Sequence, residues 1–430
     1  MVTLKIHSNS LKVKIFQNAS LVKKLAKEME SFKAKGSDYL GWKDWPFKDH
    51  KTLVNDIKQT INYLKKLSVN TLVVVGIGGS YIGARAAIEM INGLYPNNLD
   101  MEVVFFGESL SSTQLAQKLK YLENKNFAIN VISKSGTTIE TSLSFRLVRT
   151  LLEKKVGYHN SCQYIIATTD ANKGSLLALA KEKGYKTFVI PDDIGGRFSV
   201  LTAVGLLPMA FAGLNISEVL LGAKQASEKY SDFNIEHNIA YQYALARYLL
   251  LEKYPIELMV QFENQMLSFS EWWKQLSAES EGKNESGIFP ASCLFSTDLH
   301  SLGQFIQQGS KVLFETFMFC QNPLYDLQIP HDDRNMDNLN KYKEITFHNI
   351  NGTIQQAAID AHKLAGVEII EILYKDFSAL TFGHVVIFFQ RAIAMSSYLL
   401  NINPFNQPGV EVYKQNMFQQ LDLIVLKNKS

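Results

Sequence analysis

The sequence predicts an α/β protein made of two tandem units, each a mainly parallel sheet covered by helices. Three observations carry that expectation. Short apolar runs at 72–75, 103–106, 128–132, 164–167 and 188–190 alternate with amphipathic stretches. A second series follows, with candidate strands at 258–262, 312–317, 345–347 and 367–372. At 430 residues the chain also has room for two or three packed units.

Composition narrows the class. A hydrophobic content of 46% with 20% charged residues is that of a globular protein that needs no external staple. The balance of 44 basic against 41 acidic side chains leaves +3, too little for a nucleic-acid footprint, and no basic stripe with interleaved aromatics is present. Cys162, Cys293 and Cys320 lack metal-type spacing and read as reduced thiols of a cytosolic protein. The N-terminus interrupts its apolar residues with charge too early for a secretory segment. The stretch 198–217 carries no charge, yet Ser199, Thr202, Gly205, Pro208, Gly213 and Asn215 make it a buried helix rather than a bilayer span.

Taken in order, residues 1–50 are lysine-rich with helical spacing, as in Leu-Val-Lys-Lys-Leu-Ala-Lys-Glu at 21–28, and predict a helical lead-in. After the run at 72–75 comes Gly-Ile-Gly-Gly-Ser-Tyr-Ile-Gly at 76–83. A dinucleotide fingerprint would need glycine where Tyr81 stands, and Ala84 and Arg85 replace the Lys-Ser/Thr ending of a nucleoside-triphosphate loop. A tight turn that lets a small ligand approach Ser80 fits better, although a lone glycine-rich turn is weak evidence.

The run at 128–132 is followed by Ser133-Lys134-Ser135-Gly136-Thr137-Thr138-Ile139-Glu140-Thr141 and then by helical spacing. A helix start offers unpaired amides and partial positive charge to an anion. An ordinary cap needs one or two hydroxyls. Ser133, Ser135, Thr137 and Thr138 with flexible Gly136 and Lys134 supply more, so the expected ligand is a phosphorylated small molecule.

Gly195-Gly196-Arg197-Phe198-Ser199 sets a fixed guanidinium after two bare residues, which serves equally as a ligand contact or as a turn. The segment 275–283 holds Gln275, Glu279, Glu281 and Lys283, and 296–300 ends at His300. Alone, each reads as a solvated face or a structural histidine. The acidic stretch from Asp333 to Glu344 mimics a calcium loop but has Asn338 where glycine is required, and no zinc-type cluster occurs, so no metal is expected.

Together, segments 76–83, 133–141, 193–199, 279–283, 296–300 and Asn406-Gln407-Pro408-Gly409-Val410-Glu411-Val412-Tyr413-Lys414 resemble the glucose-6-phosphate isomerase family in its shorter bacterial form. They run in the family's order over nearly the whole chain. The resemblance implies two sugar-isomerase (SIS) domains, each a three-layer α/β/α sandwich, with a lead-in at 1–50, units at 51–192 and 193–402, and a C-terminal segment at 403–430. It implies reversible isomerisation of glucose 6-phosphate to fructose 6-phosphate through a cis-enediolate, without metal or organic cofactor, in a cytoplasmic homodimer whose active-site histidine comes from the neighbouring subunit.

By the same resemblance Glu279 moves the proton, Arg197 stabilises the enediolate, and His300 and Lys414 open the ring. Gln275 and Gln407 position hydroxyls, Gly79, Ser80 and Gly196 contact the sugar, and Ser133, Ser135, Thr137 and Thr138 with Lys134 behind them hold the phosphate. Ala278 stands where relatives usually carry glycine and Asn406 replaces a common aspartate; neither is a reacting group.

Overall fold

A computed structural model describes residues 1–96 and 101–427 of the chain. Among the described residues the strands are β1 (Thr3–Ile6), β2 (Thr71–Val75), β3 (Glu102–Phe106), β4 (Phe127–Ile132), β5 (Ile165–Thr169), β6 (Lys186–Val189), β7 (Ile256–Gln261), β8 (Phe289–Leu294), β9 (Leu313–Cys320) and β10 (Ile369–Tyr374). They form two five-stranded sheets, ordered β3-β2-β4-β5-β6 and β1-β10-β9-β7-β8.

The first sheet is parallel throughout, with Val73 opposite Ile129 and Ile129 opposite Ile165. Every residue of β2, β4 and β5 is buried, which is why these strands read as unbroken apolar runs instead of alternating ones. Strand order reverses between β2 and β4, so a crevice opens beyond their carboxyl ends. The glycine turn and the hydroxyl-rich loop both leave the sheet there.

The second sheet is parallel except for β1, which runs antiparallel along β10 with Thr3 opposite Leu373. The lead-in is therefore not wholly helical. Val2 and Ile6 are buried beside the second sheet, and helices Asn9–Gln17 and Ala19–Glu30 follow. A four-residue strand is too short for its two-residue period to stand out.

Two further expectations change. Residues 345–347 are no strand: Thr346 caps helix Phe347–Leu364 through a reciprocal box with Asn349. The usual box carries Glu or Gln at that place, so this start signal is weaker in sequence. Strand β8 went unexpected because it contains Pro290, which an edge strand tolerates.

One apolar core runs between the sheets, joining Leu72 and Val74 of β2 to Met259 and Ile370 of the second sheet, while each outer face has its own smaller cluster. At its centre lies Ala379–Leu399, a helix long and apolar enough to cross a membrane; 94% of its apolar window is buried inside the protein. The uncharged stretch near 200 is likewise interior, as a turn at Gly196–Leu201 and helix Ala203–Phe211.

Helix Ala379–Leu399 meets helix Ile216–Tyr230 backbone to backbone. A Cβ on Gly383 would lie 1.9 Å from the Val219 carbonyl oxygen, and one on Gly222 would lie 1.9 Å from that of Leu380. Gly383→Ala should therefore force the helices apart and destabilise the protein by about 1–3 kcal/mol, as overpacking does. A thermal midpoint equal to that of the parent would contradict this reading.

Candidate active site

The glycine turn is shaped by its neighbours. After β2, residues Gly78–Ser80 form a 3-10 turn leading into helix Ile82–Asn92. A Cβ on Gly79 would sit 2.2 Å from the Gly196 carbonyl oxygen and 2.8 Å from the Arg197 amide nitrogen. One on Gly78, where φ is +58°, would sit 2.8 Å from Gln275 Nε2. The bare backbone thus lets two turns and the helix bearing Gln275 close on one another, beyond any ligand approach to Ser80.

Arg197 occupies the turn Gly196–Leu201 with 2% of its side chain exposed. Its Nε donates to Ser280 Oγ at 2.9 Å, its Nη1 to Glu279 Oε2 at 3.2 Å, and its Nη2 to the Pro404 carbonyl. Burial draws the guanidinium's proton affinity down and Glu279 opposes that loss. Glu279 lies on helix Leu267–Glu281, one turn after Gln275, whose Nε2 donates to Oε1 at 3.1 Å. Gln407 Nε2 donates to Oε2. A cation and two amides from three distant parts of the chain therefore grip one half-buried carboxylate. Gln275 Oε1 is buried with no partner among the described residues, an acceptor left open.

Two residues further on, Glu281 points to the opposite side of the helix and is fully buried. Arg247 holds both its oxygens and also donates to Glu257 Oε2 at 2.6 Å and Ser396 Oγ at 3.0 Å. Glu257 Oε1 accepts from Tyr243 at 2.5 Å and Thr316 at 2.6 Å. Such complete pairing is what buried charge requires, and it pins the end of the helix that bears Glu279. Lys283 Nζ donates to the carbonyls of Asn403 at 2.6 Å and Ser280 at 3.0 Å. Burial, helped by neighbouring Arg197, pulls its pKa down to about 8 against Glu279 and Glu281.

The hydroxyl-rich loop is knitted together by its own hydrogen bonds. Ser133 Oγ accepts from the Gly136 amide at 2.9 Å. Ser135 Oγ accepts from the Thr137 amide at 3.2 Å and the Thr137 hydroxyl at 2.9 Å. Both serines thereby keep their own O–H as donors. Thr138 is the N-cap of helix Ile139–Val156 and makes no side-chain cap bond. Gly136 has φ +75°, and a Cβ there would lie 2.4 Å from the Leu176 amide nitrogen, so only glycine lets this loop settle on its neighbour. Lys134 does not sit behind these hydroxyls. Its Nζ donates to the Asp192 carbonyl at 3.0 Å and pairs with that residue's carboxylate at 3.5 Å, tying the cradle to the loop that leads to Arg197.

His300 and Lys414 are not drawn into the cluster. His300 is exposed at the end of the turn Thr297–His300. Lys414 pairs with Glu411 at 2.8 Å on helix Val410–Lys427, which buries none of its residues. Ser280 and the carbonyls of Asn403 and Pro404 belong to the site but carried no sequence signal; a serine and two backbone groups look ordinary until the fold joins them.

The comparisons agree with this architecture. The structure superposes on a hypothetical protein from Thermus thermophilus with a TM-score of 0.86 at 24% identity, covering 98% of this chain and 100% of that one. It matches a glucose-6-phosphate isomerase from Chlamydia trachomatis with a TM-score of 0.81 at 18% identity over 99% and 89%. The fold is thus shared with these two α/β proteins. In sequence the chain is 50% identical over 410 residues to a glucose-6-phosphate isomerase of Mycoplasmopsis pulmonis, 95% of this chain and 96% of that protein. It is 47% identical over 407 residues to one of Staphylococcus aureus, 94% and 92% of the two chains. The phosphoglucose isomerase family model matches residues 34–422, and the chain belongs to that family.

The buried triad is open to direct test. Arg247→Met leaves Glu257 and Glu281 buried without their cation, and the expected loss is about 3–5 kcal/mol. Urea unfolding of the variant should show a clearly lower midpoint; a midpoint matching the parent would mean the triad is not what holds the helix end.

Proposed function

We propose that the Arg197–Glu279 cluster is where this chain interconverts glucose 6-phosphate and fructose 6-phosphate, the step of glycolysis and gluconeogenesis performed by its family. The observation that carries the assignment is the convergence of Gln275, Arg197 and Gln407 on one partly exposed carboxylate. Aldose–ketose interconversion needs a base that reaches both C1 and C2 of the open sugar. Glu279 Oε2 is occupied by a cation and an amide, whereas Oε1 takes a single neutral donor. Oε1 is therefore the less engaged oxygen and the one suited to accept the C2 proton and return it to C1.

Negative charge then develops on the enediolate oxygens. Arg197 retains N–H donors beyond those given to Ser280, Glu279 and Pro404, and its guanidinium is already fixed, so little reorganisation opposes stabilisation. The open Oε1 of Gln275 and the amide of Gln407 orient sugar hydroxyls, and Gly79, Ser80 and Gly196 form the adjoining wall. The phosphate rests on Ser133, Ser135, Thr137, Thr138 and the first amides of helix Ile139–Val156. Lys134 steadies that loop through Asp192. Binding energy gained at the phosphate holds the reacting carbons in register with Glu279.

Ring opening falls to His300 and Lys414 as acid and base. His300 is exposed and Lys414 partly so, and neither bonds to Glu279, which fits a homodimer in which His300 reaches the neighbouring subunit's site.

In a coupled assay of fructose 6-phosphate formation, Glu279→Gln should lower turnover by about a hundred-fold while sugar-phosphate binding is largely kept. Near-normal turnover would remove Glu279 as the base. Replacing Ser135 and Thr138 together by alanine should instead weaken binding of a sugar-phosphate inhibitor by about ten-fold or more, given two lost hydroxyl contacts to a charged group. Unchanged inhibitor affinity would take the cradle out of the mechanism.

A further inference from the structure

Ser280, next in sequence to Glu279, is the origin of two parallel bridges to the chain segment 403–407. Its Oγ accepts from Arg197 Nε, and Nη2 of the same guanidinium donates to the Pro404 carbonyl. Its own carbonyl accepts from Lys283 Nζ at 3.0 Å, and the same ammonium donates to the Asn403 carbonyl at 2.6 Å. Two cations thus link one residue to two successive carbonyls of a strap. The Ser280 carbonyl lies in the last turn of helix Leu267–Glu281, where carbonyls lack intrahelical partners and attract positive charge.

The strap is otherwise held by packing, with Pro404 and Phe405 buried and Gly36 set close against Asn403 and Phe405. Asn403 Oδ1 accepts from the Phe405 amide at 2.9 Å, and Phe405 meets Phe198 edge-on at 5.2 Å. Gln407 is exposed, and past it the chain enters helix Val410–Lys427, which buries nothing. Residues 403–405 are accordingly the last stretch anchored to the body, and their anchorage decides where the Gln407 amide lies. Arg197 anchors them from the first sheet's side; Lys283 does so from two residues beyond the end of the helix that carries Glu279.

We propose that Lys283 is a positioning residue for the isomerisation: by tying Ser280 to Asn403 it sets the place at which Gln407 meets Glu279. The proposal rests on the reading of Glu279 as the proton-transfer base. Lys283 touches the reaction only through the strap, so its loss should impair the chemical step more than substrate binding.

A double-mutant cycle tests it. Lys283→Met should lower kcat about ten-fold or more with KM within about three-fold of the parent, because a small misplacement of an orienting group is costly. Gln407→Ala should do the same, and the double variant should be no more than about two-fold slower than the slower single variant, since both changes remove one contact. Lys283→Arg, which keeps a cation near both carbonyls, should recover most of the loss. A parent-like kcat for Lys283→Met, losses that multiply in the double variant, or Lys283→Arg as poor as Lys283→Met would each overturn the proposal. If Lys283→Met does not fold, Lys283→Gln replaces it in the same cycle. Glu279→Gln, assayed alongside, separates the two failures: high turnover there overturns the base assignment, whereas low turnover there with parent-like Lys283→Met overturns only the role of Lys283.

Discussion

One buried guanidinium, that of Arg197, organises the rest of the molecule. Removing such a charge from water is expensive, and the structure offsets that cost by surrounding Arg197 with Glu279, Ser280 and the Pro404 carbonyl. These partners come from a helix of the second unit and the C-terminal strap, while the arginine itself sits in a turn after the first sheet. Because the arginine cannot be satisfied unless all three elements are in place, assembling the fold and assembling the site are one event. The glycines at 78 and 79 serve the same end, since any side chain there would hold the first sheet's turn away from Gln275 and from the Gly196–Arg197 peptide.

The same helix shows how surroundings divide two chemically identical groups. Glu281 faces inward, shares Arg247 with Glu257, and has every oxygen engaged away from solvent. Glu279 is partly exposed, with one oxygen lightly held. A carboxylate sealed into an ion network can only support structure; one whose second oxygen takes a single neutral donor retains a lone pair. The Arg247 triad thus gives the helix a rigid end against which Glu279 is set.

Much of the fold was legible because burial on both faces writes parallel strands as short runs rich in Val, Ile and other uncharged residues, as in β2, β4 and β5. The strand-to-helix junction that carries Ser133, Ser135, Thr137 and Thr138 was legible too, since an apolar run passes there into helical spacing. Pairings made over long separations were not. Nothing local in Thr3–Ile6 says that it will join β10, near the other end of the chain, nor does Pro290 announce an edge strand. Lys134 was expected behind the phosphate, yet Asp192 claims it, an interaction fixed only by where two loops leave the sheet. Spacing likewise could not join Gln275 to Gln407; family resemblance named them, and the carboxylate between them gives the physical reason.

The most direct test is a crystal structure with an acyclic sugar-phosphate hydroxamate, whose planar head resembles an enediolate. The account predicts the phosphate against Ser135, Thr138 and the first amides of helix Ile139–Val156, with the planar head between Glu279 Oε1 and the free N–H groups of Arg197. A phosphate lodged elsewhere, or a head group out of reach of both Glu279 and Arg197, would contradict it.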